Sequence, residues 1–185
     1  MNALEALHTR VSVPRVGAEP PDDEVLRNIF EAALRAPDHG LLRPWRFLIV
    51  QGEDRRTLGE LFAQAVHGDD PSVSDGELNK ARKKPFRAPV IVIAIARISY
   101  HPKVPEVEQI VSTGAAVQNM MVAAHAQGVG AMWRTGAMAY HSVVGGGLGL
   151  ASNEKIVGFL YLGRIEGRVK KVPRLDVDEF FHRWP

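Results

Sequence analysis

"PEVEQIVSTGAAVQNMMVAAHAQG", residues 105–128, decides the fold. From Ile110 onward Val111, Gly114, Ala115, Ala116, Val117, Met120, Met121, Val122 and Ala124 leave this segment apolar or small nearly all round. A helix of that kind is buried, not laid on a surface. Pro105 and Glu106 open it, and Gly128 stands where a C′ glycine ends a helix. Gly114 inside a helix costs about 1 kcal/mol against alanine. A close approach to another helix or a ligand is therefore expected there, and a core helix at a subunit interface meets that expectation.

Outward from this helix, "APVIVIAIAR" (88–97) is β-branched nearly throughout and reads as a central strand covered on both faces. "VGAMWRTG" (129–136) and "KIVGFLYLGRI" (155–165) are further strands, joined by "YHSVVGGGLGLASNE" (140–154), a glycine-rich and helix-poor connection. Upstream, "NALEALHTR" (2–10) is a short helix, and "DDEVLRNIFEAALRAPD" (22–38) a longer one stopped by Pro37. "WRFLIVQG" (45–52) is a strand and "EDRRTLGELFAQAVHG" (53–68) a surface helix, while 69–86 is polar and basic, a loop with a short helix. This order predicts one α+β or α/β domain over 1–185, with a central mixed sheet flanked by helices.

Composition narrows the function. A chain of 185 residues, 45% hydrophobic and 24% charged, has globular usage and is long enough for one core. Its net charge of +2 is spread out, with short basic clusters only at Lys80–Lys84 and Arg168–Arg174, which argues against a nucleic-acid partner. Two or three arginines could still hold a phosphate ester. The absence of cysteine excludes disulfides, thiolate nucleophiles, iron–sulfur ligation and Cys-based zinc sites, so redox chemistry requires a bound cofactor. Residues 1–10 lack the pattern of a secretory signal, and the longest apolar run, Ala88–Ala96, is shorter than the roughly 20 residues of a membrane span. A cytoplasmic protein without a membrane partner is expected.

Gly145–Gly149 follows no strand and completes no nucleotide-loop pattern, the histidines form no metal-binding helical pair, and Ser12, Ser112 and Ser142 sit in no nucleophile elbow. Three polar constellations at the ends of apolar elements remain: "RVS" (10–12), "RAPDH" (35–39) and "WRTG" (133–136). The second opens "RAPDHGLLRPWRFLIV" (35–50), a turn holding more polar and aromatic groups than a helix-to-strand connection needs. Arg10 and Arg35 also suit plain capping of helix C-termini, and Trp133 suits the core.

In order and spacing, "ALEALHTRVS" (3–12), "RAPDHGLLRPWRF" (35–47), "KARKKPFRAPVIVIAIA" (80–96), "KVPEVEQIVSTGAAVQNMMVAAHAQGVGAMWRTGA" (103–137) and "KIVGFLYLG" (155–163) resemble the nitroreductase family of FMN-dependent oxidoreductases, in particular its short YdjA-type branch. The resemblance implies an α+β homodimer with FMN at the subunit interface and the 105–127 helix at its centre. It matches the family's R-x-S to Arg10 and Ser12, against the flavin phosphate and ribityl chain, with Val11 where many relatives carry arginine. Arg164 and Lys171 are candidates to compensate the lost cation. It implies that Arg35 and His39 reach FMN from the partner subunit, and that Trp133, Arg134 and Thr135 line the flavin. Ala123, Ala124, His125, Ala126, Gln127 and Gly128 match the branch's nicotinamide-nucleotide segment. His39 and Arg43 replace residues of larger relatives and bear on flavin potential or substrate fit.

The implied reaction is ping-pong. NAD(P)H gives hydride to flavin N5, and an electron-poor acceptor (a nitroaromatic, quinone or enone) then takes two electrons, with no metal and no catalytic side chain. Enone reduction or dehalogenation on the same fold, and a non-catalytic FMN carrier, are the alternatives.

Overall fold

The computed structural model describes residues 1–184. Among these residues six α-helices and four strands follow one another as α1 (Ala3–Thr9), α2 (Asp23–Ala33), β1 (Trp45–Gln51), α3 (Asp54–Asp69), α4 (Asp75–Lys83), β2 (Val90–Arg97), α5 (Glu106–Ala126), β3 (Val129–Arg134), α6 (Ser142–Gly147) and β4 (Glu154–Arg164). The seven-residue α1 is too short to hold itself by propagation alone. A reciprocal cap supports it: the Asn2 side chain accepts from the Glu5 N–H (2.9 Å), and Glu5 accepts from the Asn2 N–H.

The strands form one sheet in the order β1-β2-β4-β3, and every neighbouring pair is antiparallel. The α+β class is as expected, but the sheet is not mixed. The α5 crossover carries the chain from β2 to β3 in the same direction, as a βαβ unit would, yet β4 inserts between them with opposite sense. No parallel pair is left.

Strand β2 is buried on both faces, and its alternation sorts the core. Val90, Val92 and Ala94 face α2 and α5, meeting Ile29, Ala33, Ala116, Val117 and Met120. Ile91, Ile93 and Ile95 face the other side, where Leu58 and Phe62 of α3 and Val144 of α6 pack. There the Phe62 and Phe159 rings meet edge to face, centroids 5.6 Å apart. Opposite Ala94 and Ile95 the register of β4 slips by one residue at Val157 and Gly158, a bulge that bends β4 beside the end of β3.

A further expectation needs correction. The 140–154 connection contains α6, begun by the His141 ring, whose Nδ1 accepts from the Val143 N–H (3.1 Å), and anchored by the buried Val144. Gly114 is not required by contacts within the chain, since a Cβ there would stand 3.5 Å from Trp133 Cη2, an ordinary contact. Helix α5 is buried on one side only: Ala116 and Ala124 are fully covered, whereas Val107 and Val111 are 62% and 64% exposed. Residues 166–184 run on after β4 with a single short turn at Val177–Glu179 and leave Leu175, Phe180, Phe181 and Trp184 exposed. Among the described residues no helix is long and apolar enough to cross a membrane.

Candidate functional site

Arg10 ends α1, its backbone N–H returning to the Ala6 carbonyl. Its side chain does not serve as a cap. Nη1 is buried without a hydrogen-bond partner, the sole such side-chain atom among the described residues. A guanidinium N–H deprived of water and partner is costly and marks a place for an acceptor. Val11 and Ser12 are half-buried, and the Val13 N–H donates to the Ala131 carbonyl (2.9 Å), so this segment flanks the edge strand β3. Thr9 Oγ1 lies 2.9 Å from His125 Nε2, which brings Arg10 beside the 123–128 turn. Within that turn Ala124 is fully buried and His125 half-buried, while Ala126, Gln127 and Gly128 are exposed. Gln127 binds Asn28 and the Ala123 carbonyl, and Gly128 has the positive φ (+75°) expected of C′.

The end of β3 supplies the second constellation. Trp133 packs with the α2/α5 core and its Nε1–H donates to the Val157 carbonyl (3.3 Å) in the bulge. Arg134 points to the opposite face, its guanidinium 5.9 Å from the centre of the Tyr161 ring. With Thr135 and Gly136 it borders a cavity of about 350 Å³ that also holds Lys84 and Arg87. Burial pushes the Tyr161 phenol above its ordinary range, while Arg87 and Arg134 act in the other direction. Three cations thus line one recess. Lys84, Arg87 and Tyr161 were not legible as site residues, because they come from a basic connection and from a strand interior 77 and 74 residues apart from one another in Lys84–Tyr161 and Arg87–Tyr161 order.

The 35–45 turn is the third. Gly40, Leu41 and Arg43 all have positive φ (+68°, +53° and +47°), which is strained for the two side-chain-bearing residues. The turn is held by the Asp38 carboxylate, which accepts from the Arg43 N–H (2.6 Å), and by Thr113 of α5, whose hydroxyl donates to the Pro44 carbonyl (2.9 Å). His39 is exposed and its Nδ1 lies 2.6 Å from Glu108 Oε2 in the first turn of α5. The Ala32 carbonyl at the end of α2 accepts from the Arg35 backbone N–H (3.2 Å) and from Asn119 Nδ2 (3.1 Å), and the Arg35 side chain takes no part in this cap. Arg35 is exposed at the rim of an apolar depression formed by α1 and α5 with Leu7, Gln118 and Val122.

One chain therefore assembles Arg10–Ser12, the 123–128 turn and Trp133–Thr135 around β3, but it leaves His39 elsewhere. Glu108 and His125 are 17 residues apart on α5, and at 1.5 Å per residue that is roughly 25 Å. Arg10 and His39 sit at opposite ends of the helix.

Comparison with known proteins gives a consistent picture. A family model described as "Nitroreductase family" matches residues 7–164. The chain is 43% identical over 166 residues to YdjA of Escherichia coli K12, an NAD(P)H nitroreductase by name, with 88% of each chain covered. A nitroreductase-like family protein from Bacillus cereus superposes with a TM-score of 0.84 at 21% identity, covering 100% of this chain and 96% of that one. A Desulfovibrio desulfuricans structure solved in complex with FMN, and named a nitroreductase, has a TM-score of 0.73 at 27% identity, with 100% and 98% covered.

Proposed function

Because this chain belongs to the nitroreductase family, we propose that it is an FMN-dependent oxidoreductase that carries reducing equivalents from NAD(P)H to an electron-poor small molecule, such as a nitroaromatic, a quinone or an enone. The observation that carries the cofactor reading is the buried, unpartnered Nη1 of Arg10. A phosphate monoester, with a charge of about −1.5 to −2 near neutral pH, satisfies that donor by a charge-assisted bond. FMN, when bound, supplies hydride acceptance and release at N5, so the protein needs no acid–base pair of its own. Arg10 and Ser12 hold the phosphate and ribityl end, and Trp133, Arg134 and Thr135 flank the ring. Lys84, Arg87 and Arg134 keep positive charge beside the recess, which favours an electron-rich ring after reduction. Arg164 lies at the end of β4 opposite Val129 of β3, where its Nη1 reaches Glu19 at 3.5 Å, and Lys171 is in the exposed tail.

The working unit in this reading is a homodimer. One support is the roughly 25 Å between the two ends of α5, a span too great for Arg10 and His39 of one chain to grip the same mononucleotide. An antiparallel pair of α5 helices sets the His39 end of one beside the Arg10 end of the other. The other support is apolar surface: Val107 and Val111 on α5, the depression beside Arg35, and Leu175, Phe180, Phe181 and Trp184 in the tail are all uncovered in a single chain.

The test is spectroscopic. The purified protein is expected to be yellow, to release FMN and not FAD on denaturation, and to bleach anaerobically with NADH or NADPH. A protein that stays colourless after addition of FMN would remove the proposal, and tight FMN without bleaching would identify a carrier.

A further inference from the structure

We propose that Glu108 is a positioning residue for cofactor binding, because its carboxylate fixes the ring of His39 on the outer face of α5 and leaves Nε2 as the ring nitrogen free to meet the flavin held by the partner subunit. This rests on the FMN reading of the homodimer given above.

The Glu108 carboxylate only accepts hydrogen bonds, so at 2.6 Å the His39 Nδ1 must be the donor. That settles which nitrogen carries the proton and holds the ring plane. Nε2 then accepts from a ligand when the ring is neutral and donates when it is charged. The pair contributes little to folding, since the His39 and Glu108 side chains are 65% and 38% exposed and water competes for both. A connection that only had to join α2 to β1 would need neither this carboxylate nor the strained backbone at Leu41 and Arg43.

The two sides of the turn are clamped by different acids. Asp38 holds the Arg43 amide from within the turn, which fixes the backbone that carries His39, and Glu108 holds the His39 ring itself from α5. Thr113, five residues further along α5, ties down Pro44. Gln109 braces the approach to α5 through Ser99 and Val104. The start of α5 is thereby a rigid platform, and a ligand-facing group gains most from a support whose rotamer is already fixed.

The experiment measures FMN affinity by quenching of flavin fluorescence in wild-type protein, E108A, E108Q, H39A and E108A/H39A, with the urea midpoint of each apoprotein alongside. E108A is expected to weaken FMN binding about tenfold, a coupling of the size found between directly contacting residues. E108Q, whose amide oxygen still accepts from Nδ1, recovers most of that loss. The double variant binds no more weakly than H39A alone, and the urea midpoints stay together. Wild-type affinity in E108A with weakened binding in H39A overturns the positioning role while leaving His39 in the site. Losses that add in the double variant overturn it as well. If H39A binds FMN normally, the role assigned to His39 fails and this inference with it. Failure of the wild-type protein to bind FMN instead defeats the family-based cofactor reading.

Discussion

Arg46 and Glu154 meet through two parallel hydrogen bonds, Nε to Oε1 at 2.6 Å and Nη2 to Oε2 at 2.7 Å, across 108 residues of chain. Arg97 adds a third charge contact at 3.6 Å, and Glu154 also accepts from the Ala151 N–H (3.0 Å). The cluster joins β1, the end of β2 and the start of β4, and it anchors the loop after α6, whose Gly149 carbonyl accepts from Arg46. The Arg46 bond, aided by Ala151 and the charges of Arg46 and Arg97, outweighs burial and holds the Glu154 carboxyl down to about 2.

This pair predicts an acid-sensitive contribution to stability. A carboxyl whose folded value lies below its ordinary 4.5 stabilises the fold fully above that value, and the contribution disappears as pH falls from 4.5 towards 2. Urea midpoints of wild-type protein should drop through this window. Glu154→Gln should be less stable by about 3 kcal/mol at neutral pH, as expected when one partner of a largely buried pair is removed, and flatter between pH 4.5 and 2. A parallel fall in both proteins would assign the acid transition to other groups.

Arg10 distinguishes capping from cofactor binding. Loss of a cap lowers stability by about 0.3–1 kcal/mol and leaves FMN affinity alone. Because Nη1 is buried and unpaired within the chain, Arg10→Ala should instead leave the urea midpoint of the FMN-free protein unchanged or raise it. It should weaken FMN binding by about tenfold to a hundredfold, the equivalent of a charge-assisted bond of roughly 1.5–3 kcal/mol.

Mixed dimers test the two-chain site. Combining an Arg10→Ala chain with a His39→Ala chain puts both lesions in one site and leaves the other intact, so FMN titration should show one wild-type site per heterodimer. Two equally weakened sites would place Arg10 and His39 in the pocket of a single chain.

Helix α5 offers a contrast between two substitutions five residues apart. Ala116 is fully buried within the chain, so Ala116→Arg should unfold the protomer by burying an unpaired charge. Val111 is 64% exposed. Val111→Arg should therefore leave the protomer folded by circular dichroism while sedimentation reports monomer and FMN binding is lost. A flavin-loaded dimer of Val111→Arg would exclude this face from the interface.

Gly158 sits in the β4 bulge, and a Cβ there would collide with the Trp133 indole and lie 2.9 Å from the Arg134 carbonyl. Neither group is a flexible tip. Gly158→Ala should cost about 1–3 kcal/mol, the range for overpacking, and displace the Trp133–Thr135 segment, seen as a changed tryptophan emission spectrum and weaker FMN binding. An unaltered spectrum would show that the bulge can relax elsewhere.

Periodicity and local chemistry were sufficient for the elements themselves. The apolar run of β2, the helical spacing of α2 and the small-residue surface of α5 depend on neighbours within a few residues, and those neighbours are written in order. The "RVS", "RAPDH" and "WRTG" constellations were legible for the same reason, each being a short run of unusual polarity at the end of an apolar element. Helix α6 escaped because three consecutive glycines hide a segment that a histidine cap and one buried valine are enough to wind.

The sequence by itself determined the helices and strands other than α6, that α5 carries more apolar surface than one sheet covers, and that redox chemistry requires a cofactor. Only the tertiary structure decided that β4 enters between β2 and β3, that Lys84 and Arg87 join Arg134 at one recess, that Asp38 and Glu108 hold the turn around His39, and that Arg10 keeps a buried donor free. The physical reason is range. Helix and strand periods repeat over a few residues, whereas pairings such as His39 with Glu108 or Arg46 with Glu154 acquire their meaning when packing of the sheet and α5 brings distant backbone together.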